Sequence, residues 1–180
     1  MTDAAIAGLE VVDPHIHLCD MSSGLYPHFA DRPPGSPFSK TYALADFVAE
    51  AAPGPRIVGA VHVEAFPVEF VRETAIVQAI ADRSAFPIAM VGHADLTADD
   101  FEQVIDGHAA YPAFRGIRQV VNIRENPAYT QAPSDLLAAP GFADSLRHLG
   151  RRGFSFDMQL LGHQMAHAAG IVAACPDTQV

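Results

Sequence analysis

The 180 residues are 49% hydrophobic and 18% charged, a balance that builds a globular core and excludes a disordered or fibrous chain. The formal net charge of −10, with basic residues scattered apart from Arg151-Arg152, repels phosphate backbones and sets nucleic acid aside as a partner. Apolar stretches such as Ile57 to Val63 are broken by His62 and Glu64, far short of the ~20 residues of a membrane span.

At the start of the chain Asp3 and Glu10 occur with no early Lys or Arg, unlike the basic opening of a signal peptide, so a cytoplasmic location and no membrane partner are expected. Apolar, β-branched runs at Leu9–Leu18, Arg56–Glu64, Pro87–Leu96, Phe114–Asn122 and Phe154–Leu161 predict strands. Helices fall between them. Thr41 to about Ala52 is stopped by Pro53-Gly54, and Pro67 opens a long helix to about Ser84. Thr97 followed by Asp100 forms a capping-box-like start for a helix to about Ala110. A fourth helix runs from Gly141 to Arg152 with Gly153 as its stop, and a fifth spans His163 to about Cys175, before Pro176. Cys19 and Cys175 lie far apart without C-x-x-C spacing and read as small buried hydrophobes.

Strict strand–helix alternation implies a single domain, residues 1–180, with a parallel sheet covered by helices. The strands hold no G-x-G-x-x-G turn and no G-x-x-x-x-G-K-[ST] loop, which favours a (β/α)8 barrel over the nucleotide-binding open sheets. Two long segments follow strand ends, where active-site loops lie. Cys19 to Lys40, with Tyr26-Pro27-His28-Phe29, reads as a substrate lid or wall, and Asn122 to Pro133 is placed equivalently.

Asp13-Pro14-His15-Ile16-His17 carries the chemistry at the first strand. Residues two apart on a strand share a face, so both imidazoles point the same way, as half of a site for zinc or a similar divalent metal. A catalytic metal takes three protein ligands, so two histidines are not the whole site. The later strands also end in polar residues: His62 and Glu64, His93 and Asp95, Arg118, then Asp157 and Gln159. Buried charges without partners are costly, so these endings are expected to form one polar pocket. Arg118 suits bidentate capture of an acidic substrate, Asp157 can act as a base or orient a histidine, and Glu64, His93, Asp95, Gln159 and His163 are the candidate substrate contacts. His163 and His167 stand four apart on a helix but lack the Glu of H-E-x-x-H, while His28, His108 and His148 read as surface or loop residues.

Five stretches together resemble the amidohydrolase superfamily, in its branch of amidohydrolase-related TIM-barrel hydrolases that includes sugar lactonases and 2-pyrone-4,6-dicarboxylate lactonase. They are Val12-Asp13-Pro14-His15-Ile16-His17, Gly59-Ala60-Val61-His62-Val63-Glu64-Ala65, Gly92-His93-Ala94-Asp95-Leu96, Arg115-Gly116-Ile117-Arg118-Gln119 and Ser155-Phe156-Asp157-Met158-Gln159. The resemblance implies hydrolysis of a lactone or related ester, with His15 and His17 as metal ligands and Arg118 binding substrate or stabilising negative charge. Some lactonases of this branch act without metal, and there the histidines orient substrate. Family barrels continue through eight strands, with an aspartate on the last. This chain resembles about five βα units, ending as it enters a sixth strand at Asp177-Thr178-Gln179-Val180. A small-molecule substrate and self-association through the open sheet edge are expected. The alternatives are a decarboxylase of the same superfamily and a non-catalytic half-barrel.

Overall fold

The apolar runs form strands β1 (Glu10–Ile16), β2 (Arg56–Val63), β3 (Ile88–His93), β4 (Phe114–Val120) and β5 (Ser155–Gln159). The first three stop short of their expected polar ends, so His17 and Glu64 lie one residue, and Asp95 two residues, beyond regular strand. The helices are α1 (Pro27–Ala30), α2 (Leu44–Ala51), α3 (Phe70–Ala81), α4 (Phe101–Ala109), α5 (Phe142–Arg151) and α6 (Met165–Ala173). The structure is a computed structural model describing residues 8–30, 32–33, 35–36, 39–124, 126 and 130–180. Asp3 of the N-terminal reading, residues 31, 34, 37 and 38 of the first long loop, and residues 125 and 127–129 of the second lie outside the described residues.

The strand order is β1-β2-β3-β4-β5. β1 with β2, β2 with β3 and β4 with β5 pair in parallel, and the Met90 N–H donates to the Ala113 carbonyl at 2.8 Å between β3 and the approach to β4. Sequential order with a helix in every crossover is the arrangement of a truncated TIM barrel, whereas a doubly wound sheet reverses its order at a switch point.

Helix starts come later than the sequence expectation, α3 at Phe70 rather than Pro67 and α4 at Phe101 rather than Thr97. The N–H and hydroxyl of Thr97 donate to Asp95 Oδ1 at 2.8 and 2.7 Å, forming a turn, and α4 begins only at Phe101. Side-chain bonding of this local kind competes with helix formation. Gly153 ends α5 as expected, at φ 74°, where a residue with a Cβ is strained.

The residues group into two compact units: Met1–Val91 with Tyr111–Phe114, and Gly92–Ala110 with Arg115–Val180. In the first, Ile16, Leu18, Phe47 and Ala60 form one buried cluster, and Val77, Ile88, Met90 and Ala113 another. They cover the face of β1–β3 against which α2 and α3 lie. In the second, Phe142 of α5 meets Phe156 of β5 edge to face at 6.0 Å, and Ile105, Ile117, Leu146 and Leu149 are fully buried.

The Phe156 N–H donates to the Gln179 carbonyl at 2.8 Å, so the chain's own backbone begins to occupy the β5 edge that was expected to lie open. Among the described residues no helix is long and apolar enough to cross a membrane.

Gly116 permits the close approach of β4 to β5, because a Cβ there would lie 2.5 Å from the Ser155 carbonyl oxygen and closer still to its hydroxyl. Backbone cannot swing aside as a side chain can. Gly116→Ala is therefore expected to destabilise the chain by about 1–3 kcal/mol, the usual cost of overpacking, with urea unfolding as the measurement. An unchanged midpoint would show that the two strands separate at little cost.

Candidate functional site

Pro14 brings no N–H to the β1–β2 ladder, whose register shifts between Asp13 and Ile16, and the His15 N–H turns instead to Asp13 Oδ1 at 3.0 Å. Beyond this bulge the two histidines converge. Their Nε2 atoms are 3.2 Å apart, with rings edge to face at 4.8 Å between centroids. His17 Nδ1 lies 2.8 Å from the Val63 carbonyl, so Nδ1 carries the proton and Nε2 offers its lone pair towards His15. Two Zn–N bonds of about 2.0–2.1 Å at a tetrahedral angle place their nitrogens ~3.3 Å apart. The pair fits two corners of such a site. No group of three His, Cys, Asp or Glu among the described residues could hold a metal, and two imidazoles alone fall short of the usual three protein ligands.

A cavity of about 740 Å³ opens in this unit, with His15, His17, Asp13, Arg32, Lys40 and Phe66 in its wall. That volume is in the range of small-molecule sites. Arg32 and Lys40 come from the long loop after β1, the segment expected to form a lid or wall. Its ends are tied by paired bonds, Cys19 N–H to Tyr42 carbonyl at 3.0 Å and Tyr42 N–H to Cys19 carbonyl at 2.8 Å, while Leu25 and Tyr26 are buried. Phe66 adopts φ 57°, unusual for a bulky residue, and its N–H donates to Glu64 Oε2 at 2.6 Å. Glu64 is fully buried, close enough to Cys19, Tyr26 and His28 for its charge to act on them.

Near Glu64 a second buried polar group forms around Glu73, an acid that the sequence reading missed. His62 points towards α3, where its Nε2 lies 3.7 Å from Glu73 Oε1; both side chains are fully buried. The same Glu73 oxygen accepts from the Tyr26 hydroxyl at 2.9 Å and the Ala65 N–H at 3.1 Å. Burial first, then the Glu73 and Glu64 charges, push the Cys19 thiol up to about 12. Burial and the Glu73 charge likewise hold the Tyr26 phenol above its ordinary range. A signal was present in the sequence. Glu73 falls on the apolar stripe of α3 with Phe70, Thr74 and Val77, and an acid on a buried stripe needs partners.

In the second unit the β4–β5 register sets Gly116, Arg118 and Val120 beside Ser155, Asp157 and Gln159, all on one face. The Arg118 guanidinium donates to Gln159 Oε1 at 2.9 Å, and the Arg118 carbonyl lies 3.2 Å from His93 Nδ1. Arg118 is buried, Gln159 half-buried and Asp157 exposed. Asp95 turns to the neighbouring backbone and to Gln119, which donates to Asp95 Oδ1 at 3.1 Å while accepting from the Leu96 N–H at 3.1 Å. Partial burial opposes ionisation of Asp95, but the Thr97 and Gln119 bonds outweigh it and hold the carboxyl below its usual range. His163 is exposed in a 3-10 turn, Gly162–Gln164, ahead of α6, and His167 is exposed on α6.

Two histidines read as surface residues are not. His108 is fully buried on α4, with Nε2 2.9 Å from the His93 carbonyl and its ring against Gly92, where the missing side chain makes room for it. His148 is half-buried on α5, 3.2 Å from Glu102. His108 stands three residues after the buried Ile105, which places it on the inward face of α4.

No protein-family model matches the chain. An uncharacterised protein of Sinorhizobium fredii, y4mH, is 34% identical over 185 residues, covering 97% of this chain and 62% of that protein. Among solved structures, amidohydrolase 2 from Bifidobacterium longum subsp. infantis matches with a TM-score of 0.68 at 20% identity, over 94% of this chain and 59% of that one. An amidohydrolase from Burkholderia multivorans with bound zinc matches with a TM-score of 0.61 at 18% identity, over 95% and 55%. A probable 2-pyrone-4,6-dicarboxylic acid hydrolase from Acinetobacter baumannii with citric acid bound gives 0.51 at 13% identity, over 82% and 48%. The fold thus matches amidohydrolase-superfamily members, and the chain spans roughly half to three fifths of the length of these proteins.

Proposed function

We propose that this chain is part of a metal-dependent hydrolase that opens a lactone or related ester of a small acidic or sugar-derived substrate. The observation that carries the reading is the convergence of His15 and His17, with Nε2 atoms 3.2 Å apart and His17 oriented through Nδ1 by the Val63 carbonyl. A divalent ion held there, zinc first among candidates because the Burkholderia multivorans amidohydrolase binds it, would supply Lewis acidity for a carbonyl and acidify water. Arg32 and Lys40 stand in the wall of the same cavity with the acids Asp13 and Glu50, and the two cations are assigned to an anionic group of the substrate. The citric acid in the Acinetobacter baumannii structure supports the same class.

Arg118 is assigned to a substrate carboxylate, for which its planar donors are suited, and Gln159 holds that guanidinium in place. Asp157, on the same strand face, is the candidate base. Glu64, His93, Asp95, Gln159 and His163 are assigned to substrate positioning, in Glu64's case through Phe66.

The test uses the full-length parent enzyme and a panel of carboxylated lactones, following proton release. Arg118→Lys is expected to lower kcat/KM by about 10- to 100-fold, as loss of a charge-assisted hydrogen bond of ~1.5–3 kcal/mol requires. Unchanged kinetics across the panel would remove Arg118 from the site, and release of carbon dioxide in place of a proton would assign a decarboxylase. The 180 residues alone are expected to bind zinc weakly and turn over poorly, since two imidazoles fall short of three ligands. Tight stoichiometric zinc with substantial turnover would overturn that expectation.

A further inference from the structure

We propose that His62 is a positioning residue for the His15–His17 pair, fixing the backbone at His17–Leu18 so that the His17 imidazole meets His15; the role rests on the metal-site reading above. Two groups of β2 hold the short stretch that follows β1. The Val63 carbonyl takes His17 Nδ1–H at 2.8 Å. The His62 side chain accepts, through Nδ1, from the Leu18 N–H at 3.0 Å. The register shift in β1 has already interrupted the regular ladder here, and Leu18 is buried, so without His62 its amide would be a buried donor with no acceptor.

An accepting Nδ1 leaves the ring proton on Nε2. That Nε2 faces Glu73 at 3.7 Å, too long for a hydrogen bond, and His62 Nε2 and Glu73 Oε2 are both buried without a hydrogen-bond partner. The carboxylate's field favours the tautomer that keeps Nδ1 open to Leu18. A histidine retained at full burial with one nitrogen unbonded is a poor choice for packing alone, since an apolar residue would avoid that orphan.

The experiment, on the full-length parent enzyme, combines imidazole 15N NMR of the zinc-free form with zinc titration of wild type, His62→Leu, His62→Asn and His15→Ala. In wild type we expect His62 as the Nε2–H tautomer and His17 as the Nδ1–H tautomer. His62→Leu should weaken zinc binding about 10- to 100-fold, the range for losing an outer partner of a ligating histidine. His62→Asn, whose Oδ1 stands where Nδ1 stood, should keep both the zinc affinity and the His17 tautomer near wild type. A folded His62→Leu that binds zinc as wild type does, or an Nδ1–H tautomer at His62, overturns the proposal. If His62→Leu does not fold, His62→Asn decides, because a loss as large as that of His15→Ala also overturns it. Equal zinc uptake by wild type and His15→Ala overturns the metal-site reading and this role with it. Uptake lost in His15→Ala but intact in folded His62→Leu overturns this role alone.

Discussion

Glu73→Leu is expected to lower the unfolding free energy by about 2–6 kcal/mol, one of the largest effects available in this chain. The substitution leaves two buried donors, the Tyr26 hydroxyl and the Ala65 N–H, without the acceptor they share, at ~1–3 kcal/mol each. Glu73→Gln retains an oxygen at that point and should cost less. Urea unfolding of the two variants measures the difference. A Glu73→Leu midpoint equal to wild type would show that both donors find other acceptors or water.

Alkaline pH is expected to unfold the chain through Tyr26. Its phenol is held above the ordinary value of 10.0, by burial first and then by the Glu73 carboxylate, so the folded state keeps a proton that the unfolded state releases. A folded pKa above the unfolded one gives a contribution fully present below about pH 10 and lost as pH rises beyond it. Phenolate absorbance should therefore show Tyr26 silent until unfolding begins, and Tyr26→Phe should flatten the alkaline limb of the stability curve. Ionisation of Tyr26 near pH 10 in the folded chain would contradict this. Tyr42, pushed up to about 12 by partial burial and its bond to Glu50, is the control: only half-buried, it is expected to titrate with less disruption than Tyr26.

The repeating part of the architecture was legible because the relevant forces are local. Hydrophobic periodicity placed the strands and long helices, and parallel connectivity followed from crossover length. His15 and His17 were legible for the same reason, since period two fixes a shared face. Helix starts were less so. Thr97 and Asp100 have capping-box spacing, yet Asp95 captures Thr97 first, and nothing in the tetrapeptide announces an acceptor two residues upstream.

Face assignment failed at His62 for a different reason. Grouped with Glu64 as a pocket ending, it faces α3, because the β1–β2 register beside Ile16 places it on the helix-covered side. Periodicity in one strand says which residues share a face, and not which of the two faces the helices cover. His108 was misread because its partner is a main-chain carbonyl, which leaves no mark on residue types.

The paired bonds between Cys19 and Tyr42 bear on how a ligand reaches the cavity. A flap that swings must release its hinge ends or its buried anchors, and here the two ends are bonded to each other while Leu25 and Tyr26 are sunk in the core. Lifting this segment would break both bonds and expose those side chains at once, an opening too costly to precede every binding event. The anchored stretches at Cys19, Leu25–Tyr26 and Tyr42 are preset before the ligand arrives. Observed association rates should then climb in proportion to ligand concentration without levelling off, the kinetic mark of docking into a site that needs no prior isomerisation.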